Sequence, residues 1–304
     1  MMSDELDVSV FFSDGYILKN AAHIINAETE EAVMIFTEDT ITINFMAKNK
    51  STIHDFKFLA EELSGYSYNP DLNPDGTVPD RYVVGFKTQE FNRNMRVSKK
   101  DGIAMFVQKK FRDKLIVRHI KNATRSESQT EAYVTIIDVE DSTYKVKSNI
   151  ENEIPHIRIL PKEFSDVCIQ CSNLKCAFMR IEKIGGDREG IKVEGVTHSG
   201  AVACESNFFS SRVVNRRSKV GIAPEYITQC VLLSSGLSTR RYRIVSDSTK
   251  FKLNGHTVKT LSKINNMSTS KIKIFLTEGE PLKITCEMGN IGTYSLYSTE
   301  TEQK

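Results

Sequence analysis

Apolar and polar residues alternate in several short runs: Ile41, Ile43 and Phe45; Ile191 and Val193; Ile272 and Ile274; and Leu282, Ile284, Cys286 and Met288. Successive side chains on an extended chain point to opposite faces, so a period of two predicts strands with one buried face. Gly, Asn and Asp punctuate the runs, as at Gly185-Gly186-Asp187 and Gly279, and supply the tight turns that hairpins need. Four segments change period. Residues 14–26 place Ile17, Ala21, Ile24 and Ile25 on one helical face, with Asp14 as N-cap. Residues 88–97 turn Phe91 and Met95 inward, and residues 161–174 carry Phe164, Val167, Cys168 and Cys171 on one stripe. Residues 255–264 do the same with Val258, Leu261 and Ile264. The prediction is an α+β protein dominated by antiparallel sheet. Each half of the chain carries two helices, each followed by strands, which suggests a duplicated unit with two copies per domain.

Loop chemistry divides this pattern. Residues 68–80 contain Asn69-Pro70, Asn73-Pro74-Asp75-Gly76 and Pro79, which predicts a surface excursion. Residues 122–130 are polar, and residues 133–154 mix apolar and charged positions without a clean period, as a connector would. The chain of 304 residues is long enough for two domains. We assign residues 8–132 to the first, 133–154 to the connector, 155–298 to the second and 299–304 to a polar tail.

Composition narrows the function. With 39% hydrophobic and 26% charged residues the chain reads as soluble and globular. No apolar run approaches the roughly 18 residues that span a bilayer. The acidic residues 1–7 offer no signal peptide, so no membrane partner is expected. Six cysteines without a secretory signal read as reduced thiols of an intracellular protein. On that reading the glycosylation-like triplets at Asn122 and Asn266 are chance. A net charge of +2 is too small for a surface that grips nucleic acid everywhere, so any such contact must be concentrated on one face.

Catalytic motifs are missing. No phosphate-binding G-x-x-x-x-G-K-[S/T] loop occurs, and no H-E-x-x-H, G-x-S-x-G or G-x-G-x-x-G. The pairs Glu30-Glu31 and Glu61-Glu62 read as solvated surface. Cys168-x2-Cys171-x4-Cys176 has the spacing of part of a zinc or iron–sulfur site. Cys168 and Cys171 lie on the apolar stripe, however, and no fourth ligand is near in sequence. Core packing is the better reading, and we expect no metal, no cofactor and no enzyme.

The C-terminal segment adds a resemblance. Pro281-Leu282-Lys283-Ile284, followed by Met288, Gly292, Tyr294, Leu296 and Tyr297, resembles the closing strands of the proliferating cell nuclear antigen family of sliding clamps. The segment from Lys259 and Lys263 to Met267-Ser268-Thr269-Ser270 is similar to the family's last helix and its exit. Gly15-Tyr16-Ile17-Leu18-Lys19, residues 85–102 and residues 161–190 resemble the other three helices with their flanks, in the same order. Residues 68–80 and 207–250 depart from the family, which suggests a divergent clamp of the kind found in large DNA viruses. The resemblance implies the DNA clamp fold: two similar domains joined by a long connector, three subunits closing into a ring, sheets outside and helices lining the hole. It implies a non-enzymatic processivity factor that encircles double-stranded DNA without reading sequence. Such a ring recruits DNA polymerase and other replication and repair proteins, and depends on a separate clamp loader. Its expected location is the nucleus, or a cytoplasmic viral replication factory.

The resemblance also implies site residues. Lys19, Arg93, Arg96, His256, Lys259 and Lys263 would face phosphates, where cations displace condensed counterions without reading bases. Arg93 and Arg96 share a face, as do His256, Lys259 and Lys263, while Lys19 lies among Asn20, His23 and Asn26. Ordinary solvated helix faces would look the same residue by residue. The third helix shows Asp166 and Ile169 where the family is usually basic, with Lys162 and Lys175 as substitutes. Partner peptides would dock against Met46, Ile53, Val139, Tyr144, Val146, Ile150, Pro281 and Tyr297, unless Met46, Ile53 and Tyr297 are plain core. Residues 114–120, with Lys114, Ile116 and Arg118, and residues 200–207, with Ala201, Ala203 and Glu205, resemble the edge strands that pair between subunits. Arg216-Arg217-Lys219 and Arg240-Arg241-Arg243 are a localisation signal, an extra binding patch or solvated loops. Two alternatives stay open: a clamp-fold processivity or late-transcription factor without a closed ring, and an interaction protein with no DNA role.

Overall fold

The computed structural model describes residues 5–97, 101–121, 129–139, 144, 154–184, 189–209, 227–229 and 250–300. Val146, Ile150, the turn at Gly185-Gly186-Asp187 and the clusters Arg216-Arg217-Lys219 and Arg240-Arg241-Arg243 lie outside the described residues. The chain divides into unit 1, residues 1–145 with 287–295, and unit 2, residues 146–286 with 296–304.

Unit 1 runs β1 (Leu6–Phe12), α1 (Gly15–Glu28), β2 (Glu31–Phe36), β3 (Thr40–Met46), β4 (Thr52–Leu59), β5 (Gly65–Tyr68), β6 (Tyr82–Lys87), α2 (Thr88–Asn94), β7 (Gly102–Gln108), β8 (Phe111–Ile120) and β9 (Gln129–Ile137). These strands lie side by side in the order β4-β3-β2-β6-β9-β8-β7-β1-β5, every pair antiparallel. Unit 2 runs β10 (Ile157–Ile159), α3 (Pro161–Asn173), β11 (Phe178–Ile184), β12 (Gly190–Val196), β13 (Val202–Phe209), β14 (Ile227–Gln229), β15 (Phe251–Asn254), α4 (Gly255–Leu261), β16 (Ile272–Phe275), β17 (Leu282–Met288) and β18 (Gly292–Ser298), except that the last two residues of β17 and the first four of β18 fall in unit 1. Its strands pair as β14-β13-β12-β11-β15 and as β10-β16-β17. A strand, a helix and an antiparallel run recur four times, opening at β1-α1, β6-α2, β10-α3 and β15-α4. Helix α1 packs on α2, and α3 on α4.

Local chemistry explains these elements. The Asp14 carboxylate caps α1 by accepting from the Tyr16 N–H at 3.1 Å, and Asn254 caps α4 by accepting from Thr257 N–H at 2.8 Å. Pro161 opens α3, where its missing N–H costs nothing. The inward residues named from spacing, among them Ile24, Ile25, Phe91, Phe164, Cys168, Leu261 and Ile264, are fully buried. In unit 1 the tip of the β17–β18 hairpin is held against β4. Gly292 permits the approach, since a Cβ there would lie 2.1 Å from the Lys57 carbonyl oxygen. Buried Tyr294 then shares a 2.9 Å hydrogen bond with Nδ1 of buried His54, which stacks on Phe45.

Several expectations need correction. Helix α2 ends at Asn94 rather than at residue 97, because Met95 N–H and Val97 N–H close tighter turns onto Asn92 O and Met95 O. Helix α4 stops at Leu261, and Ile264–Asn266 forms a separate 3-10 turn. Residues 133–137 are the end of β9 and not connector; Val134 is its fully buried anchor. Residues 114–120 are not an edge. They lie in β8, which is paired to β7 on one side and to β9 on the other, and Ile116 is buried between them. The excursion after β5 is exposed and is tied down at its root: Arg112 forks onto both oxygens of buried Asp7, at 2.7 and 2.9 Å, and also pairs with Asp71.

Candidate nucleic-acid and partner interfaces

The helices present solvent stripes of distinct charge. On α1 the partly exposed residues are Tyr16, Lys19, His23, Asn26 and Ala27, and the one carboxylate of this helix, Glu28, is buried. Lys19 is partly engaged: its ammonium donates to the Val97 carbonyl at 2.9 Å and lies 5.4 Å from the centre of the Tyr16 ring. On α2 and its exit, Gln89, Arg93 and Arg96 are exposed at spacings of four and three. The Glu90 carboxylate turns away to accept the Thr135 N–H at 3.2 Å. On α4 and its exit His256 and Lys259 are exposed and Lys263 is half-buried. Burial, and then the charge of Lys259, lowers the pKa of Lys263. No carboxylate stands in these three stripes. Helix α3 differs: Lys162, Asp166, Ile169 and Asn173 are its exposed residues, and their charges cancel. Lys175, just past its end, is exposed as well.

The candidate docking residues of unit 1 come together. Met46 and Ile53 are cross-strand partners on β3 and β4, half-buried on the face opposite Phe45, His54 and Phe56. They are not plain core. Two residues past the end of β9, Val139 covers the same side of the sheet: its Cγ2 would lie 2.8 Å from a Cβ at Gly85, one of whose neighbours is Val33 on β2. Further along, the Tyr144 N–H donates to the Asn44 side chain at 3.0 Å, two residues from Met46. Val139 and Tyr144 thus each meet the outer face of this sheet, at β6 and at β3. In unit 2, Pro281 and Tyr297 are half-buried, and the Lys283 ammonium sits 5.4 Å from the ring centres of both Tyr297 and Phe275.

One open edge lies where the resemblance implied it and the other does not. Among the described residues no strand lies beyond Val202–Ser206 of β13, so Ala203 and Glu205 sit on an unpaired edge, with Ala201 exposed just before it. Phe209 and its two predecessors are covered by β14. In unit 1, besides terminal β5, an open edge belongs to β9, whose residues 129–135 pair only with β8 among the described residues. Its outward row is Glu131, Tyr133 and Thr135, all exposed, with Tyr133 at 51%. Helix α2 trims this edge, through Glu90 on Thr135 N–H and Asn94 on the Tyr133 carbonyl at 2.8 Å. Lys114 faces the same Tyr133, its ammonium 5.9 Å from the ring centre, and Arg118 pairs with Glu131.

One convergence escaped the sequence reading. Cys171 and Cys176 meet Cys204, distant in sequence, so that their three sulfurs lie within 4.8 Å of one another, while Cys168 stays outside the group. Within the described residues no helix is long and apolar enough to cross a membrane.

Comparison with known proteins bears on the fold. No family model and no curated protein sequence matches the chain. Among solved structures it is similar to the proliferating cellular nuclear antigen of Entamoeba histolytica, at a TM-score of 0.68 and 9% identity, over 98% of this chain and 100% of that one. It is also similar to a chain of the PCNA2–PCNA3 complex of Sulfolobus tokodaii, at a TM-score of 0.64 and 14% identity, over 95% and 98%. The chain therefore has the clamp fold of these proteins from end to end, with almost none of their sequence.

Proposed function

We propose that the chain is a subunit of a DNA sliding clamp, a non-catalytic processivity factor that tethers a polymerase and other replication proteins to duplex DNA. The observation that carries this reading is the set of cationic, carboxylate-free stripes on α1, α2 and α4 in a fold similar over its full length to PCNA. Lysine and arginine set toward phosphates bind by counterion release, which is indifferent to sequence and so lets a ring slide. The stripe of α3 contributes little, and the grip rests on the other three helices. Partner peptides would lie against Met46 and Ile53 beside the connector and against Pro281 and Tyr297, with apolar and aromatic anchors concentrating the binding energy.

Ring closure would join the open edge of β9 to that of β13 on the next chain, head to tail. The Sulfolobus tokodaii structure is a complex of two clamp chains, so the neighbour can be a second copy or a related clamp chain; we favour a homotrimer. Such a clamp works at replication sites, in a nucleus or a viral factory. The decisive experiment compares retention on nicked circular DNA with retention on the same DNA made linear, after loading. A clamp stays on the circle and slides off open ends; equal loss from both sinks the ring. The trimming of β9 by Glu90 and Asn94 favours one second reading, a clamp-fold factor that holds DNA without closing. On that reading the protein stays monomeric and binds circular and linear DNA alike.

A further inference from the structure

We propose that Cys171, Cys176 and Cys204 form a three-sulfur site for a thiophilic d10 cation of the Cu(I) or Zn(II) class. Two separate chain segments deliver the thiols. Cys171 sits in the last turn of α3. The chain then reverses through Lys175 at a positive φ of 52°, with Lys175 N–H bonded to Ser172 O and Cys176 N–H to Cys171 O. This paired closure of a helix end brings the side chains three positions before and two positions after the helix cap into contact, and here those two side chains are Cys171 and Cys176. Cys204 comes from β13, directly opposite Gly195 on β12.

Gly195 marks the centre of the group. A Cβ there would lie 2.6, 2.7 and 2.9 Å from the sulfurs of Cys204, Cys176 and Cys171. One point is thus nearly equidistant from all three. Metal–sulfur bonds are about 2.3 Å, and a trigonal arrangement of that radius needs sulfurs about 4 Å apart. The observed spacing brackets this: 3.6 Å for Cys171 to Cys204, and all three within 4.8 Å. A cation in the plane of the three sulfurs can take bonds of about 2.3 Å to all of them, and the absence of a side chain at Gly195 is what leaves the sulfurs free to converge.

Thiolates are the ligating form, and each ligating thiol releases its proton to solvent as the cation takes its place. Sulfur without imidazole or carboxylate selects soft ions. Buried cysteines also serve as small apolar fillers; three thiols set around one side-chain-free point are a donor set. Bound metal would staple the end of α3 to the strand that carries the open edge of unit 2.

The test uses the reduced, chelator-stripped full-length protein, titrated without oxygen in separate arms with Cd(II), standing in for Zn(II), and with Cu(I). The expected result is a thiolate-to-metal charge-transfer band saturating at one equivalent in at least one arm, with three sulfur neighbours in the metal's X-ray absorption spectrum. Cys204→Ala and Cys171→Ala should lose the band, Gly195→Ala should lose it with every thiol in place, and Cys168→Ala and Cys286→Ala should keep it. Absence of a saturable band in both arms, a shell of oxygen or nitrogen, or a band that survives both Cys204→Ala and Cys171→Ala overturns the proposal. Should the variants fail to fold, the wild-type absorption spectrum decides alone.

Discussion

Two buried polar contacts carry predictions at the level of single side chains. Tyr294 satisfies Nδ1 of His54 inside a wall of Phe45 and Phe56. Tyr294→Phe keeps the ring and removes the hydroxyl, leaving a buried imidazole nitrogen without this partner, so unfolding free energy should fall by about 1–3 kcal/mol in a urea melt. An unchanged melt would mean that solvent reaches His54. Glu194 on β12 offers a pH signature. Burial pushes its carboxyl up, but hydrogen bonds from Lys192 at 2.5 Å and Arg180 at 2.8 Å, with their charges, win and leave it lowered. A folded pKa below the unfolded value gives stability that is present above about pH 4.3 and is lost as pH falls through the folded value. Glu194→Gln should therefore cost about 2 kcal/mol at neutral pH, with the difference from wild type closing below pH 4. A constant difference across that range would show that the glutamate acts by packing and not by charge. Neither contact was legible beforehand. His54 and Tyr294 are 240 positions apart, and only the strand register reveals that Arg180 opposes Glu194.

At the level of elements, the helices were legible and one strand was not. Spacing of three and four identifies a helix face wherever the inward residues are large, as with Ile17, Ile24 and Ile25 or Phe164 and Val167. Strand β9 alternates just as regularly, yet its inward residue Ala132 is small while outward Tyr133 is large and aromatic. The larger inward residues, Val134 and Ile136, come late and run on into residues without a clean period, so residues 133–137 read as connector, while β8 read as the edge on the family resemblance alone. The cationic positions of α2 and α4 were legible because large apolar residues fix which side of a short helix turns inward, which leaves Arg93, Arg96 and Lys259 exposed. Their prediction belongs at this scale too. If Arg93 and Arg96 each neutralise one phosphate, the double change to alanine should flatten the log–log dependence of DNA affinity on salt by about 2, and weaken binding roughly tenfold at low salt. Asp166→Asn on α3 is the control that should strengthen binding slightly, since it removes a negative charge from the one neutral stripe. Equal salt slopes for wild type and the arginine variant would remove α2 from the DNA face.

The whole molecule turns on whether its edges are used. A long exposed strand edge invites pairing, and natural chains that stay monomeric cover or charge such edges. Here β9 is intermediate. Helix α2 occupies the Tyr133 carbonyl and the Thr135 N–H, while the exposed Tyr133 ring and the row from Glu131 remain on the surface. The Tyr133 carbonyl points away from β8, so its N–H does as well, and Tyr133→Pro removes an outward donor without breaking the β8–β9 ladder. Light scattering across concentration separates the cases. A closed ring predicts a mass three times the 34.4 kDa of the chain, falling to one chain in Tyr133→Pro while the circular dichroism spectrum stays the same. A wild-type trimer that survives the proline would move the contact away from β9. A wild-type monomer at every concentration would retire the self-closing ring and leave the cationic stripes to hold DNA unaided. The slope of binding against salt should then be at least as steep as for a ring, because an open clamp has only its phosphate contacts to keep it in place.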